Sequence, residues 1–241
     1  MLWDTVIWPS NWGLGSRSSH SYSPFYQMKD EKAGHLGIEH WDEDRQRWIL
    51  YRNEADHSAD CRAYPYEAVP GRIFLDTNVV NLLVNYPEQI FEQQPLPNLE
   101  DAMLAEDLEA LMHIFYVGRR ANWAVMASRK TLDEIDRTPD PEHRERLRDF
   151  AIELISPEDE ANAYASVVGR RMIDAPFTHR LPDKADRELI GNAIGLECDV
   201  FCTRDRRTII KKREQLKLLP IRVLTPLEWW RHVRPWAGLC T

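Results

Sequence analysis

The sequence predicts an α/β fold, a parallel sheet flanked by helices, from three observations. Four short apolar runs, IFLD (73–76), WAVMA (123–127), DVFCT (199–203) and IRVLT (221–225), read as strands. Helical patterns separate them, and regular alternation of strand and helix implies a parallel sheet with crossover connections. The length, 241 residues, suits one large domain or one ordinary domain with an appendage.

Residues 1–70 read as a small aromatic-rich appendage, with Trp3, Trp8, Trp12, Trp41 and Trp48 set among serine, histidine and proline. Within it, HLGIEHW and RWILYR flank the polar DEDRQ, and roughly alternate apolar positions predict a β-hairpin. The sheet domain then occupies 71–241. Its first strand ends in RIFLDTNVVNLL (72–83), where Thr77 and Asn78 begin a helix. The longest helix is expected from about Leu99 to Val117, with Asn98 as N-cap and Met103, Leu104, Leu108, Leu111, Met112 and Phe115 on one face. Further helices are expected near 141–155, 157–172 and 183–196, the last opened by Pro182.

The formal net charge of −8 argues against a protein that coats nucleic acid over its whole surface, yet it leaves room for a local basic stripe. The opening MLWDTVIWPS has no basic n-region and precedes no long apolar run, so neither a signal peptide nor a membrane span is expected, and the expected location is cytoplasmic. Cys61, Cys198, Cys202 and Cys240 are too scattered for a disulfide scaffold and are expected as reduced thiols.

Ligands of parallel sheets gather beyond the carboxyl ends of the strands. Asp76 closes the first strand there, and Asp205 follows the DVFCT strand by two residues. In LPDKADRELIGNA, Asp183 and Asp186 lie three apart near a helix start, on one face. In WAVMASRKTLDEI the turn after the strand leads into a helix carrying Glu134, while Asp133 points elsewhere. Singly, such acids cap helices or stay solvated. Converging without interleaved bases, they would raise one another's pKa unless cations neutralise them. A donor set of oxygens alone favours Mg²⁺ or Mn²⁺ over zinc, and such an ion activates water for in-line attack on phosphorus.

FLDTN (74–78), SRKTLDEI (128–135), DRELIGNA (186–193) and DVFCTRD (199–205), in that order, resemble the PIN-domain nucleases, a family that includes the ribonuclease toxins of toxin–antitoxin pairs. The resemblance lies within residues 72–228. It implies a PIN-like fold and a metal-binding, catalytic cluster of Asp76, Glu134, Asp186 and Asp205, with Asn78 and Thr203 orienting carboxylates or water and Asp183 at the rim. It further implies an endoribonuclease acting on single-stranded or structured RNA to leave a 5′-phosphate and a 3′-hydroxyl, with a homodimer and a protein inhibitor as expected partners. The appendage and the long segment between Asp76 and Glu134 depart from the compact members.

Two rival functions stand beside it. A phosphatase of the haloacid dehalogenase type also places an aspartate after its first strand, but wants a second one two residues on, where this chain has Asn78. The other rival is a catalytically silent PIN-fold scaffold that binds RNA or protein.

Residues 204–222 hold eight basic side chains against Asp205 and Glu214. They read either as a phosphate-guiding stripe, with Arg204, Arg206, Arg207 and Lys211 at its start, or as a solvated basic face. In the appendage, Trp41, Trp48 and Tyr51 offer base stacking or simple packing. His35, His40, His57 and Cys61 are only loosely spaced like a zinc site.

Overall fold

The computed structural model describes residues 40–42, 47–49, 54–118, 121, 123–155, 164–181 and 183–239. The hairpin expected from alternation is present: β1 (His40–Asp42) pairs antiparallel with β2 (Arg47–Ile49), Trp41 opposite Trp48. The helix α1 (Glu54–Ala63) follows. The chain divides into two units, one built on Pro70–Tyr86 and Asn122–Pro226, the other on segments up to Val69, Pro87–Ala121 and the chain from Leu227.

The first unit holds a parallel four-stranded sheet. Its strands are β3 (Arg72–Leu75), β4 (Ala124–Met126), β5 (Val200–Cys202) and β6 (Arg222–Leu224), in the order β4-β3-β5-β6. Each lies within, or one residue outside, an apolar run of the sequence. Ile73, Phe74, Leu75, Val200, Phe201 and Cys202 are completely buried, as central parallel strands covered on both faces require. Phe74 and Phe201 are in register, and their rings stack at 5.6 Å.

The helices of this unit are α2 (Thr77–Asn85), α5 (Arg129–Ile135), α6 (Pro141–Glu153), α7 (Tyr164–Ile173) and α8 (Lys184–Gly195). Leu189, Ile190 and Ala193 of α8 join the Phe74–Phe201 core. The backbones of α7 and α8 nearly touch: a Cβ on Gly195 would lie 2.6 Å from Ala165 Cα, and one on Gly191 would lie 2.7 Å from Gly169 Cα. Beyond α8, Glu197 adopts the left-handed conformation (φ 56°), so that its amide reaches Ile194 O and the Cys198 amide reaches Ala193 O. This hydrogen-bond pair stops the helix and turns the chain into β5.

From β3 the chain reaches β4 on one side of β3, then returns to β5 on the other side and continues to β6. The direction of winding therefore reverses between β3 and β5. Such a reversal parts the loops beyond the carboxyl ends of the two strands and leaves a crevice.

The second unit includes α3 (Pro87–Ile90), α4 (Ala102–Gly118) and, from Leu227, nearly all of α9 (Pro226–Val233). The expected long helix is corrected here at two points. Asn98 does not cap it; the helix begins later, and Asp101 Oδ1 accepts the Met103 amide at 3.0 Å, because the carboxylate adjoining the first turn is the one in reach. Met103, in that first turn, is 52% exposed, and from Asp107 onward almost every side chain is buried, so the helix is enclosed rather than one-faced. His113 is among these, stacked on Trp230 at 5.0 Å.

The expected helix at 157–172 is described from Tyr164, and Pro182, Tyr51, His35 and Cys240 lie outside the described residues. Among the described residues Cys61, Cys198 and Cys202 form no disulfide. Among the described residues no helix is long and apolar enough to cross a membrane.

Two measurements check these packing arguments. Gly195→Ala should destabilise the chain by about 1–3 kcal/mol through overpacking, read as a lowered Tm, because the added methyl meets backbone that cannot swing aside. Burial pushes the His113 imidazole down to about 3 from its usual 6.5, so below pH 6.5 the unfolded chain takes up a proton that the folded chain refuses. His113 thus contributes stability in full above pH 6.5 and loses it progressively as pH falls toward 3. The stability difference between His113→Phe and the parent should shift in the variant's favour by about 1.4 kcal/mol per pH unit below pH 6, in denaturant titrations followed by tryptophan fluorescence.

Candidate functional site

Asp76 leaves β3 with extended backbone and caps α2, its Oδ1 accepting the Thr77 amide at 2.8 Å. Its Oδ2 accepts from Thr203 Oγ1 at 2.5 Å and from Asn78 Nδ2 at 2.5 Å. Thr203, the first residue beyond β5, also accepts from Asn78 Nδ2 at 3.1 Å and from the Asp205 amide at 3.0 Å. Asn78 Oδ1 takes the Arg204 amide at 2.8 Å. Through these bonds the carboxyl ends of β3 and β5 are joined across the crevice, with Asp76 5% exposed and Thr203 fully buried.

The other acids come from separate segments. The Thr77 hydroxyl, in the first turn of α2, donates to Glu134 Oε2 of α5. Asp183 caps α8, accepting the Ala185 amide at 2.8 Å, and stands exposed at its start. Asp186 sits half-buried in the first turn of α8. Asp205 Oδ1 accepts the Arg207 and Thr208 amides at 3.0 and 2.8 Å, and its Oδ2 accepts from the Thr208 hydroxyl, so this carboxylate also folds the loop beyond β5.

Electrostatics show that these groups share one field. Burial pushes the Asp76 carboxyl up to about 7; the Thr203 hydrogen bond opposes the rise, and Glu134 and Asp205 add to it. Burial likewise raises Asp186 to about 7, reinforced by Asp76, Asp183, Asp205 and Glu134. Glu134 is raised chiefly by burial, against the Thr77 hydrogen bond and the Arg137 and Lys130 charges. Bases therefore stand near Glu134, whereas the charges that most raise Asp76 and Asp186 are acids. Lys130 itself pairs with Glu188 at 3.0 Å and with Asp133 at 3.7 Å, and Asp133 is among neither the groups that raise Asp76 nor those that raise Asp186 most.

Asp76, Glu134, Asp183, Asp186 and Asp205, separated by up to 129 positions in the sequence, thus lie within one another's electrostatic reach. They do not close on a single point: among the described residues no three Asp, Glu, His or Cys side chains form a ready metal cage. A separate cavity of about 340 Å³, lined by Ser128, Lys130, Arg170, Glu188 and Asn192 among others, contains none of the five acids.

Of the basic residues after β5, Arg204 and Arg206 are half-buried and engaged within the chain, while Arg207 and Lys211 are exposed. Lys212 Nζ donates to Arg180 O at 2.8 Å, Arg213 to Val223 O at 3.4 Å, and Lys217 pairs with Glu214. Part of the stripe is therefore structural, carried by the 3₁₀ segment Ile210–Leu216. In the other unit His57 Nε2 bonds Pro235 O at 2.9 Å.

Sequence reasoning missed Thr77 and Thr208 as partners of carboxylates. The D-x-x-T spacing of Asp205 and Thr208 carries a capping signal, whereas nothing local announces that Thr77 meets a glutamate 57 positions away.

Because Asp186 is half-buried among four other acids, Asp186→Asn should stabilise the chain by on the order of 1 kcal/mol at pH 8 without divalent ions, seen as a rise in Tm. Comparison of the chain with family models, with curated proteins and with solved structures finds no match.

Proposed function

We propose that the acidic crevice is the active centre of a PIN-like endoribonuclease dependent on Mg²⁺ or Mn²⁺. The observation that carries this reading is the gathering of acids from four separate segments at the point where the winding of the sheet reverses. The donor set fits a hard divalent ion: it consists of carboxylate oxygens, and the charges that weigh most on Asp76 and Asp186 are those of other acids. Such an ion keeps several waters, so carboxylates spread around a crevice can hold it without forming a tight cage.

Asp76, Glu134, Asp186 and Asp205 would hold the ion, which when bound supplies the charge neutralisation and water activation needed for in-line attack on a phosphodiester. Thr203 and Asn78 fix the Asp76 carboxylate, and Thr77 fixes that of Glu134. Asp183 adds negative charge at the rim. Arg207 and Lys211, with Arg204 and Arg206 closer to the loop, supply the positive potential that draws RNA phosphates toward the crevice.

A haloacid dehalogenase-like reaction is disfavoured by Asn78, whose amide donates to Asp76 where that chemistry needs an acid. A catalytically silent scaffold has one observation in its favour, the engagement of both Asp205 oxygens by the adjoining loop. Cleavage of end-labelled single-stranded RNA and matched DNA with Mn²⁺ or chelator separates these readings. The nuclease should cut RNA only with the metal, and Asp76→Asn should abolish cutting. Thr203→Val should lower the rate by roughly 10–100-fold, the usual effect of freeing a metal-holding carboxylate from its support. RNA binding without cleavage by the parent chain would leave the scaffold.

A further inference from the structure

Ahead of α8 the chain makes a 3₁₀ turn, Pro176–Thr178, and this turn is unusually well held for a surface segment. The Thr178 hydroxyl is tied to Met172 O at 2.6 Å and Ala175 O at 2.8 Å. Behind the turn the Arg187 side chain, 9% exposed, donates to Ile173 O at 2.9 Å, to His179 O at 3.4 Å and to Leu181 O at 2.5 Å. A planar guanidinium that gathers three carbonyls fixes the path of the segment. Yet the residue at the centre of this turn, Phe177, is 45% exposed.

Phe177 lines an open cleft of about 620 Å³ with Pro176, Arg180 and Gln215. That volume falls within the range of small-ligand sites. Both walls belong to segments that also carry acids of the crevice. Arg180 precedes Asp183 by three residues, and Gln215 lies in the 3₁₀ segment that grows from the Asp205 loop. The walls are joined where Lys212 Nζ bonds Arg180 O. Arg180 lines the cleft, Lys212 bonds across it and Lys211 adjoins Lys212, while Glu214, beside Gln215, is paired with Lys217, in a chain whose net charge is −8.

A rigid, outward aromatic ring beside cations and a side-chain amide matches the chemistry of unpaired nucleotides: the ring takes a base face, the guanidinium a phosphate, and the amide a base edge. An apolar peptide would gain nothing from the cations, and a duplex keeps its base faces stacked internally. We propose that the Pro176–Phe177–Arg180–Gln215 cleft is a nucleobase subsite, in which an unpaired base of single-stranded RNA stacks on Phe177 while Arg180 contacts the adjoining phosphate. The subsite deepens the endoribonuclease reading and rests on it for the identity of the polymer. It holds the strand where the chain leads from the cleft into the crevice, so it governs substrate affinity rather than the chemical step.

The test measures anisotropy of a fluorescein-labelled 12-nucleotide single-stranded RNA on the full chain in chelator, where no cleavage occurs, with the same RNA as a duplex for comparison. Phe177→Ala should weaken single-strand binding by about tenfold, Phe177→Trp should restore it, and duplex binding should not respond. The Tm of all variants should stay close to the parent's because Phe177 is nearly half exposed and its turn is held by Thr178 and Arg187. Equal single-strand affinity in Phe177→Ala, or no binding of single-stranded RNA by the parent, overturns the proposal. With Mn²⁺, Phe177→Ala should raise KM and leave kcat unchanged. Loss of binding in Phe177→Ala together with no metal-dependent cleavage by the parent would retain the subsite and refute the nuclease. Metal-dependent cleavage with an unchanged KM would do the reverse.

Discussion

The hydrogen bonds that Asp76 accepts from Thr203 and Asn78 are the constraint on which the site depends. A carboxylate at the end of a central strand is an awkward group to bury, because a charged oxygen without a donor loses several kcal/mol of solvation. Here the donors come from the segments that follow the two strands, Asn78 in the first turn of α2 and Thr203 just beyond β5, so one arrangement solvates the carboxylate and keeps the ends of β3 and β5 joined. Asn78 then extends the join through the Arg204 amide, which aligns the loop carrying Asp205.

That support is incomplete by design of the chemistry: burial and like charge still lift Asp76 and Asp186 well above the usual carboxylate range. A fold that gathers acids in this way must draw stability from elsewhere. The stacked Phe74–Phe201 pair, the apolar face of α8 and the glycine-lined contact of α7 with α8 provide it, and they also hold Asp183 and Asp186 at the mouth. Charge and core are thus separated along single elements. In α8 the first turn carries charge toward the crevice, while later turns bury Leu189, Ile190 and Ala193. In β3, Ile73, Phe74 and Leu75 are core, and the residue that follows them is Asp76.

The same separation explains what could be read early. Strands such as IFLD and DVFCT are legible because parallel strands covered on both faces need continuous apolar runs. The start of α4 was misplaced because Asn98 and Asp101 are both good caps, and only the path of the chain before the helix decides which reaches the first turn. Its enclosure was likewise hidden: periodicity measures one apolar stripe, whereas His113 is buried against Trp230, distant in sequence.

By itself the sequence determined the α/β class, the four strands and the acids at strand ends and helix starts, since each follows from local periodicity, capping and residue chemistry. Tertiary structure alone decided that these acids share a field, that Thr77 meets Glu134, that Asp205 braces its own loop, and that Arg187 gathers the carbonyls on either side of the Pro176–Thr178 turn. The physical reason is that burial and electrostatic coupling depend on distances in space, and the strand order β4-β3-β5-β6, which sets those distances, is written in no single stretch of the chain.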